Sequence, residues 1–351
     1  MAAGLRDEVR APKWCPMKGK VTSFDVAQRA GVSQSAVSRV FSGASASKAT
    51  QDKVRSAADA LGYRPNRLAR GLITGRSKII GLVVAYLDNQ FYPDALERLS
   101  NVLKEQGYHI LIFTAKGRGD EVKQTFDQLM DYQVDGIIAA SVGISDELTN
   151  KCAAAGIPLV LFNRGQRGGA LAQVTSDNLQ GAAKIASFLV KGGHRRIGHI
   201  SGWMGSITGQ DRAQGFASGL QAAGSELVHQ IDGMYRRDTA AEAAEILVSE
   251  HGCDAIFVGN DHMAFAVMDH LRGAMNISVS KDVSIVGYDD VSMAAWGAYE
   301  LTTLRQPVNR MVHAAVDTLL AMIEDADASA DQITIDGPLV VRTSAKVPKE
   351  N

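Results

Sequence analysis

Four polar residues crowd the short stretch VTSFDVAQRAGVSQSAVSRVFSG, which runs from Val21 to Gly43: Gln34, Ser35, Ser38 and Arg39. On a helix these positions share one face, and amide, hydroxyl and guanidinium groups there can hydrogen-bond base edges or phosphate oxygens. A second polar set recurs farther along, each pair just past an apolar run: Asp88 and Asn89, Asn163 and Arg164, Asn260 and Asp261, Asp289 and Asp290. Any one pair reads as a solvated loop, but the recurrence does not. Converging carboxylates, carboxamides and an arginine suit a hydroxyl-rich small molecule. Arg164, Arg212 and Arg236 equally suit an anionic group.

The first set needs two short helices. Thr22 is placed to cap one, whose apolar stripe runs through Phe24, Val26, Ala27 and Ala30. Gly31 stands where a helix end calls for positive φ. Ser33 is placed to cap the next helix, with Val37, Val40 and Phe41 inward and the polar four outward. A third amphipathic helix is predicted from about Thr50 to Leu61, burying Val54, Ala57, Ala58 and Leu61. Two helices joined this tightly expose the start of the second, as DNA-reading pairs do.

Charge agrees. The chain of 351 residues carries a formal −1, yet its first 77 residues hold 14 Lys and Arg against 5 Asp and Glu. A basic head on an acidic body points to a polyanionic partner. Cys15, Cys152 and Cys253 are too scattered for a disulfide framework or a metal cluster, and His194 and His199 have no third ligand suitably spaced. No apolar run is long enough to span a membrane, and MAAGLRDEVR lacks a signal core, so the chain is expected in the cytoplasm, with the nucleoid.

The stretch at 21–43, followed by LGYRPNRLARGL, resembles the DNA-binding head and hinge of the LacI/GalR family of bacterial transcription regulators. The likeness continues in order through GHRRIGHISG, DRAQGFASGL, GNDHMAFAVMDHL, DVSIVGYDD and LTTLRQP, to about Arg342. It implies that Gln34 and Ser35 read base edges, that Arg39 enters the same groove, and that Ser38 meets a phosphate. Thr22 and Ser33 at the two helix starts complete the head's expected contacts. Ala36 stands where Thr is usual in the family and Ser42 where Asn is usual, which shortens the polar footprint.

In RPNRLARGLITGRSK, Pro65 ends one helix and Asn66 can cap another of about two turns, which Gly71 weakens by about 1 kcal/mol. The resemblance makes this the hinge helix, with Asn66, Arg67 and Ala69 at DNA and Leu72 as the wedge between base pairs of the minor groove.

From Lys78 onward strands and helices alternate. IIGLVV and HILIF are predicted as buried strands with a helix from Ala95 to Glu105 between them. DGIIAA, PLVLFN, RIGHISG, AIFVGN and VSIVGY continue the pattern, with helices at Leu179–Val190 and Met263–Arg272. That order gives parallel, doubly wound sheets, which bind ligands beyond the carboxyl ends of their strands. The resemblance implies two periplasmic-binding-protein-like subdomains joined by three crossings, near VTSDN, TLRQP and 335–337. It places Asp88, Asn163, Arg164, Arg212, Asn260, Asp261 and Asp289 at effector positions, with Gln306 at a crossing and Tyr235 as a ring that stacks on sugar. Phe91 and Tyr92 join them from the loop after the first strand, where Gln90 replaces the family's usual Pro.

The fold expected is therefore a small all-α helix-turn-helix head plus hinge helix, then an α/β core of two doubly wound parallel-sheet subdomains. A disordered extension is expected over about 1–20, the head over 21–64, the hinge and linker over 65–77 and the core over 78–345. Within the core the N-subdomain takes about 78–177 and 306–335, and the C-subdomain about 178–305 and 336–345. The function expected is a transcriptional regulator, a repressor of a catabolic or transport operon. Its partners are a palindromic double-stranded operator, bound as a homodimer or tetramer, and a small carbohydrate-like effector, with no membrane and no cofactor. A sugar-binding transport receptor would share the core but not the basic head. An enzyme would need a nucleophile elbow, phosphate loop or dinucleotide fingerprint. GLITGRS and the paired SASK and SDN fragments each lack a required element.

Overall fold

The structure, a computed structural model, describes residues 21–64, 76–115, 120–168, 171–325 and 327–348. The chain divides into two compact units at Gly75.

In the first unit three helices close on a small core: α1 (Ser23–Ala30), α2 (Gln34–Ser42) and α3 (Lys48–Leu61). Thr22 caps α1 within a capping box, and the Asp25 carboxylate accepts from the Thr22 amide at 2.8 Å and its hydroxyl at 2.7 Å. Ser33 and Ser47 cap α2 and α3, while Gly31, Gly43 and Gly62 end the helices with positive φ. Val26, Ala27, Val37, Val40, Val54, Ala57 and Ala58 fill the middle. Two expectations need correction. Phe24 is 61% exposed and leaves the stripe that begins at Val26, since three short helices have no room for another large ring beneath α1. The third helix starts at Lys48, because Ser47 is the cap that satisfies its first turn.

The second unit holds two six-stranded sheets. One runs β11-β5-β4-β3-β1-β2, and the other β12-β10-β9-β8-β6-β7. The first comprises β1 (Ile79–Val84), β2 (His109–Thr114), β3 (Gly136–Ala140), β4 (Leu159–Phe162), β5 (Ala172–Ser176) and β11 (Gln332–Ile335). The second comprises β6 (Ile197–Ser201), β7 (Leu227–Asp232), β8 (Ala255–Val258), β9 (Ser284–Asp289), β10 (Thr302–Arg305) and β12 (Leu339–Val340). Among the described residues all strand pairings are parallel except that of β10 with β12. The chain passes between sheets after β5, after β10 and after β11.

Helices cover both faces, as parallel sheets require. On the first sheet α4 (Phe91–Glu105) and α11 (Val308–Glu324) pack on one side, with α5 (Asp120–Asp131) and α6 (Asp146–Ala154) on the other. On the second, α7 (Asn178–Lys191) and α8 (Ile207–Ala222) face α9 (Arg237–Ser249) and α10 (Asp261–Gly273) across the strands. The second strand and the first helix of this unit differ from expectation. HILIF is an edge strand, with Ile112 45% exposed, so its apolar run does not mean burial on both faces. Helix α4 begins at Phe91, four residues before the expected Ala95, because Pro93 suits a first helical turn. Among the described residues, no helix is long and apolar enough to cross a membrane.

Candidate effector cleft and DNA-reading face

On the head, the start of α2 is open to solvent. Gln34, Ser35, Ser38 and Arg39 are all exposed, while Val37 and Val40 point into the core. The Gln34 carboxamide is not loose: its Nε2 donates to Ser23 Oγ of α1 at 2.8 Å. Ser33 and Ser35 share a hydroxyl contact at 2.9 Å. The Ser33 hydroxyl also accepts from Ala36 N, so its first role is to hold the helix start. Asn66, Arg67, Ala69 and Leu72 lie outside the described residues.

In the core, the carboxyl ends of strands from both sheets open onto one cavity of about 980 Å³. Its walls include Asp88, Tyr92, Asn163, Arg164, Arg212, Tyr235, Asn260 and Asp289, eight of the eleven residues expected there. The backbone at these strand ends is unusual. Ser141, Asn163, Met234, Tyr235 and Asp289, all lining the cavity, have φ of 61°, 58°, 55°, 57° and 131°. Each such non-glycine conformation costs roughly 1–3 kcal/mol and is held only by well-packed surroundings, so its concentration here marks a built site.

Arg212 anchors the floor. Its Nε donates to Asn178 Oδ1 at 2.9 Å and its Nη1 to the Gly259 carbonyl at 2.6 Å, and its guanidinium lies over the Tyr288 ring. Its Nη2 stands 3.7 Å from Asp289 Oδ1. Burial pushes the Asp289 carboxyl up to about 6, opposed by Arg212 and by hydrogen bonds from Gln306 and Asn89. Tyr235 fits because Gly202 has no side chain: a Cβ there would come within 2.0 Å of the ring.

Three expected contacts stand behind this wall instead of on it. Asp261 is fully buried, accepting from the Thr303 hydroxyl at 2.6 Å and the Val291 amide at 3.0 Å. Burial, and then the charge of Asp289, push it up to about 8. Gln306 donates to Asp289 Oδ1 at 2.6 Å, so it orients a wall residue without being one. Phe91 stacks on Phe162 in the core of the first sheet and meets Tyr92 edge-on. Counting residues past a strand end cannot tell which side chain turns outward.

Sequence reasoning missed Tyr86, Ser141, Trp203, Thr208 and Met234, all on the cavity wall. The signal that found Asn163 was available for Ser141 and Trp203, which also follow strands closely. The two subdomains touch beside the cavity. Thr208 Oγ1 donates to the Asn163 carbonyl at 3.3 Å, Arg167 pairs with Asp211 at 2.6 Å, and the Arg164 guanidinium sits 5.2 Å from the Trp203 ring centre. His199 is fully buried with Nδ1 against the Phe257 carbonyl, and His194 faces Asp254 at 3.3 Å.

Residues 24–66 match the profile of bacterial regulatory proteins of the lacI family, and residues 186–345 that of a periplasmic binding protein-like domain. The HTH-type transcriptional regulator CelR of Thermobifida fusca is 32% identical over 331 residues, 91% of this chain and 96% of CelR. The HTH-type transcriptional regulator AscG of Escherichia coli K12 is 31% identical over 337 residues, 93% of this chain and 99% of AscG. The chain belongs to the LacI family.

Like its LacI-family relatives it is a DNA-binding transcriptional regulator, and the transport-receptor alternative falls away. The solved structure of a Lac repressor dimer bound to operator and the anti-inducer ONPF superposes with a TM-score of 0.83 at 25% identity, covering 93% of this chain and all but 1% of that one. That of a CelR–cellobiose complex matches at 0.69 and 30% identity, over 93% of this chain and 100% of the other. The HTH head and the core of two mostly parallel sheets are thus the LacI-family architecture.

Proposed function

We propose that this regulator is a repressor of a catabolic or transport operon, binding a palindromic operator as a homodimer through Gln34, Ser35, Ser38 and Arg39, with Leu72 of the hinge as minor-groove wedge. The division into head at 21–64, hinge at 65–77 and core at 78–345 is part of the same proposal. It works on chromosomal DNA in the cytoplasm, and its effector, a sugar or sugar derivative, sits in the cleft. The observation that carries the effector half is the shared cavity: Asp88 and Asn163 belong to the first subdomain, Arg212 and Asp289 to the second, and all four line it. The operator-bound Lac repressor dimer and the cellobiose complex of CelR support the dimer and the carbohydrate.

A ligand that bridges the two subdomains changes the angle between them. In a dimer that angle sets the spacing of the two hinges, so ligand and operator are thermodynamically coupled in both directions. The test is effector affinity measured with and without saturating operator DNA, once thermal-shift screening of sugars, sugar acids, polyols and nucleosides has supplied the effector. Equal affinities would leave DNA binding without regulation. Coupling by five-fold or more, the ordinary range for two linked sites, is the expected result.

A further inference from the structure

Beside the effector cleft lies a second, smaller cavity of about 270 Å³, shared by the strands of the first sheet and the helices of the second. From the first sheet, Gln173 and Thr175 of β5 stand in register with Gln332 and Thr334 of β11. They occupy the strand face opposite the buried Ala172 and Val174. From the second, Asn178 begins α7, and Ile207 and Thr208 begin α8.

The carboxamides here have spent their acceptors and kept their donors. A guanidinium only donates, so Arg212 Nε at 2.9 Å fixes Asn178 with Oδ1 turned toward it. Asn178 is 5% exposed, yet its Nδ2 has no hydrogen-bond partner among the described residues. Gln173 is fixed in the same sense, since its Oε1 accepts from Gln166 N at 2.8 Å and its Nε2 has no partner among them either. Two helix starts add to this. Ser206 caps Gly209 N and Asp177 caps Gln180 N, so neither cap takes the first two amides of α8 or α7. The positive ends of a 16-residue and a 14-residue helix thus border one cavity. A wall of donors calls for a ligand of acceptors.

Charge narrows the class. Arg167 and Asp211 form a rim pair at 2.6 Å, with side chains 59% and 22% exposed. A pair so wet holds itself weakly, and only Nη2 of Arg167 is engaged among the described residues, so the guanidinium is able to turn to a second acceptor. Against this one cation stand two carboxylates, Asp211 on the wall and Asp177 at the cap of α7. A dianion is poorly matched there. A single carboxylate, planar and able to take two parallel bonds from an arginine, is well matched.

We infer that this second cavity is a binding site for a small organic acid, its carboxylate held by Asn178 Nδ2, Gln173 Nε2 and Arg167. The site is separate from the effector cleft, and its test needs no effector. The volume falls below the 300–1,000 Å³ of ordinary ligand clefts, which restricts the acid to a few carbons. Because Gln173 and Asn178 come from different sheets, the bound acid ties the two subdomains together. Asn178 also holds Arg212, and Thr208 also holds the Asn163 carbonyl, so both walls of the effector cleft feel its presence.

The experiment is calorimetric titration of the full chain with acetate, lactate, pyruvate and succinate, and with phosphate and sulfate, all at one ionic strength set with chloride. At least one carboxylate is expected to bind with a dissociation constant of about 1 mM or tighter, and phosphate and sulfate about tenfold or more weakly. Gln173→Glu and Asn178→Asp each keep the oxygen that Gln166 N or Arg212 uses and turn the free amide nitrogen into a carboxylate oxygen. Each should weaken the acid about tenfold or more, and Arg167→Gln about threefold or more. Silence from every carboxylate overturns the inference. So does phosphate or sulfate binding as tightly as the best carboxylate. An acid bound undiminished by the folded variants sits elsewhere, on the head or in the cleft, and overturns it equally. If the two isosteric variants fail to fold by circular dichroism, the exposed Arg167→Gln and the acid series on the unaltered chain decide.

Discussion

Arg212 and Asp289 face each other at 3.7 Å in the cleft floor, each side chain only 3% exposed. Removing one partner of such a pair leaves an uncompensated charge, at a cost of about 3–5 kcal/mol. Arg212→Leu is therefore expected to destabilise the core strongly at pH 8, by denaturant titration. The cost should shrink at pH 5, because a carboxyl lifted to about 6 is then largely neutral. A pH-independent cost would show that Arg212 acts through Asn178 and Gly259 alone.

Asp261 makes a separate pH signature. Its carboxyl is lifted from 3.8 to about 8, chiefly by burial. The native chain thus keeps a proton that the unfolded chain has released, so stability falls as pH rises through this range. Asp289 contributes in the same sense only up to about 6. His199, lowered by burial to about 4, prefers to be neutral when folded, so its effect is confined to pH below 6.5. Between pH 6.5 and 8 the declining slope should belong mainly to Asp261. Asp261→Asn is expected to flatten it in melting-temperature measurements, and an unchanged slope would assign it elsewhere.

Gly202 is where a single methyl should silence the cleft without harming the head. A Cβ there falls 2.0–2.4 Å from Cζ, Cε1 and the hydroxyl of Tyr235. The ring is the part able to move, so Gly202→Ala should displace it and weaken the effector more than tenfold, since stacking and a hydrogen bond are lost together. Ligand-free operator affinity should stay within about twofold, under 0.5 kcal/mol, by mobility shift.

On the head, Gln34 is braced by Ser23. Gln34→Ala should alter the preferred operator bases, by about 1–3 kcal/mol for a good contact. Ser23→Ala should weaken binding at the same base positions by about 0.5–1.5 kcal/mol, since only the brace is lost. Site selection returning the parental consensus for Gln34→Ala would falsify its role as a reader.

Phe24 provides the stability control. Its exposed ring predicts that Phe24→Ala changes the head's stability by less than about 0.5 kcal/mol. Val26→Ala, in the centre of the head core, should cost about 1.5–3 kcal/mol. Urea titration compares them directly, and a large loss for Phe24 would mean that the ring is covered in solution.

Much of this molecule is local chemistry, and local chemistry is legible in a sequence. Caps such as Thr22 and Ser33, the stop at Gly31 and the spacing of Val37 and Val40 act within a few residues, so they define the head before any tertiary contact forms. Strand ends marked by Asn163, just past β4, and Asp289, the last residue of β9, likewise announce the cleft of a parallel sheet. What depends on a neighbour distant in sequence was not legible. Nothing in HILIF says that β2 is an edge, because edge status is set by strands that pair elsewhere. Phe24 is as apolar as Val26, and only the volume enclosed by three helices decides which one is covered. Asp261 and Asp289 both sit at a strand end, yet Thr303 and the Val291 amide draw one carboxylate behind the wall while Gln306 and Arg212 hold the other on it. Periodicity reports that a side chain has an inside to face. Which partner waits there, and what charge it carries, is settled only when both subdomains close around the same cavity.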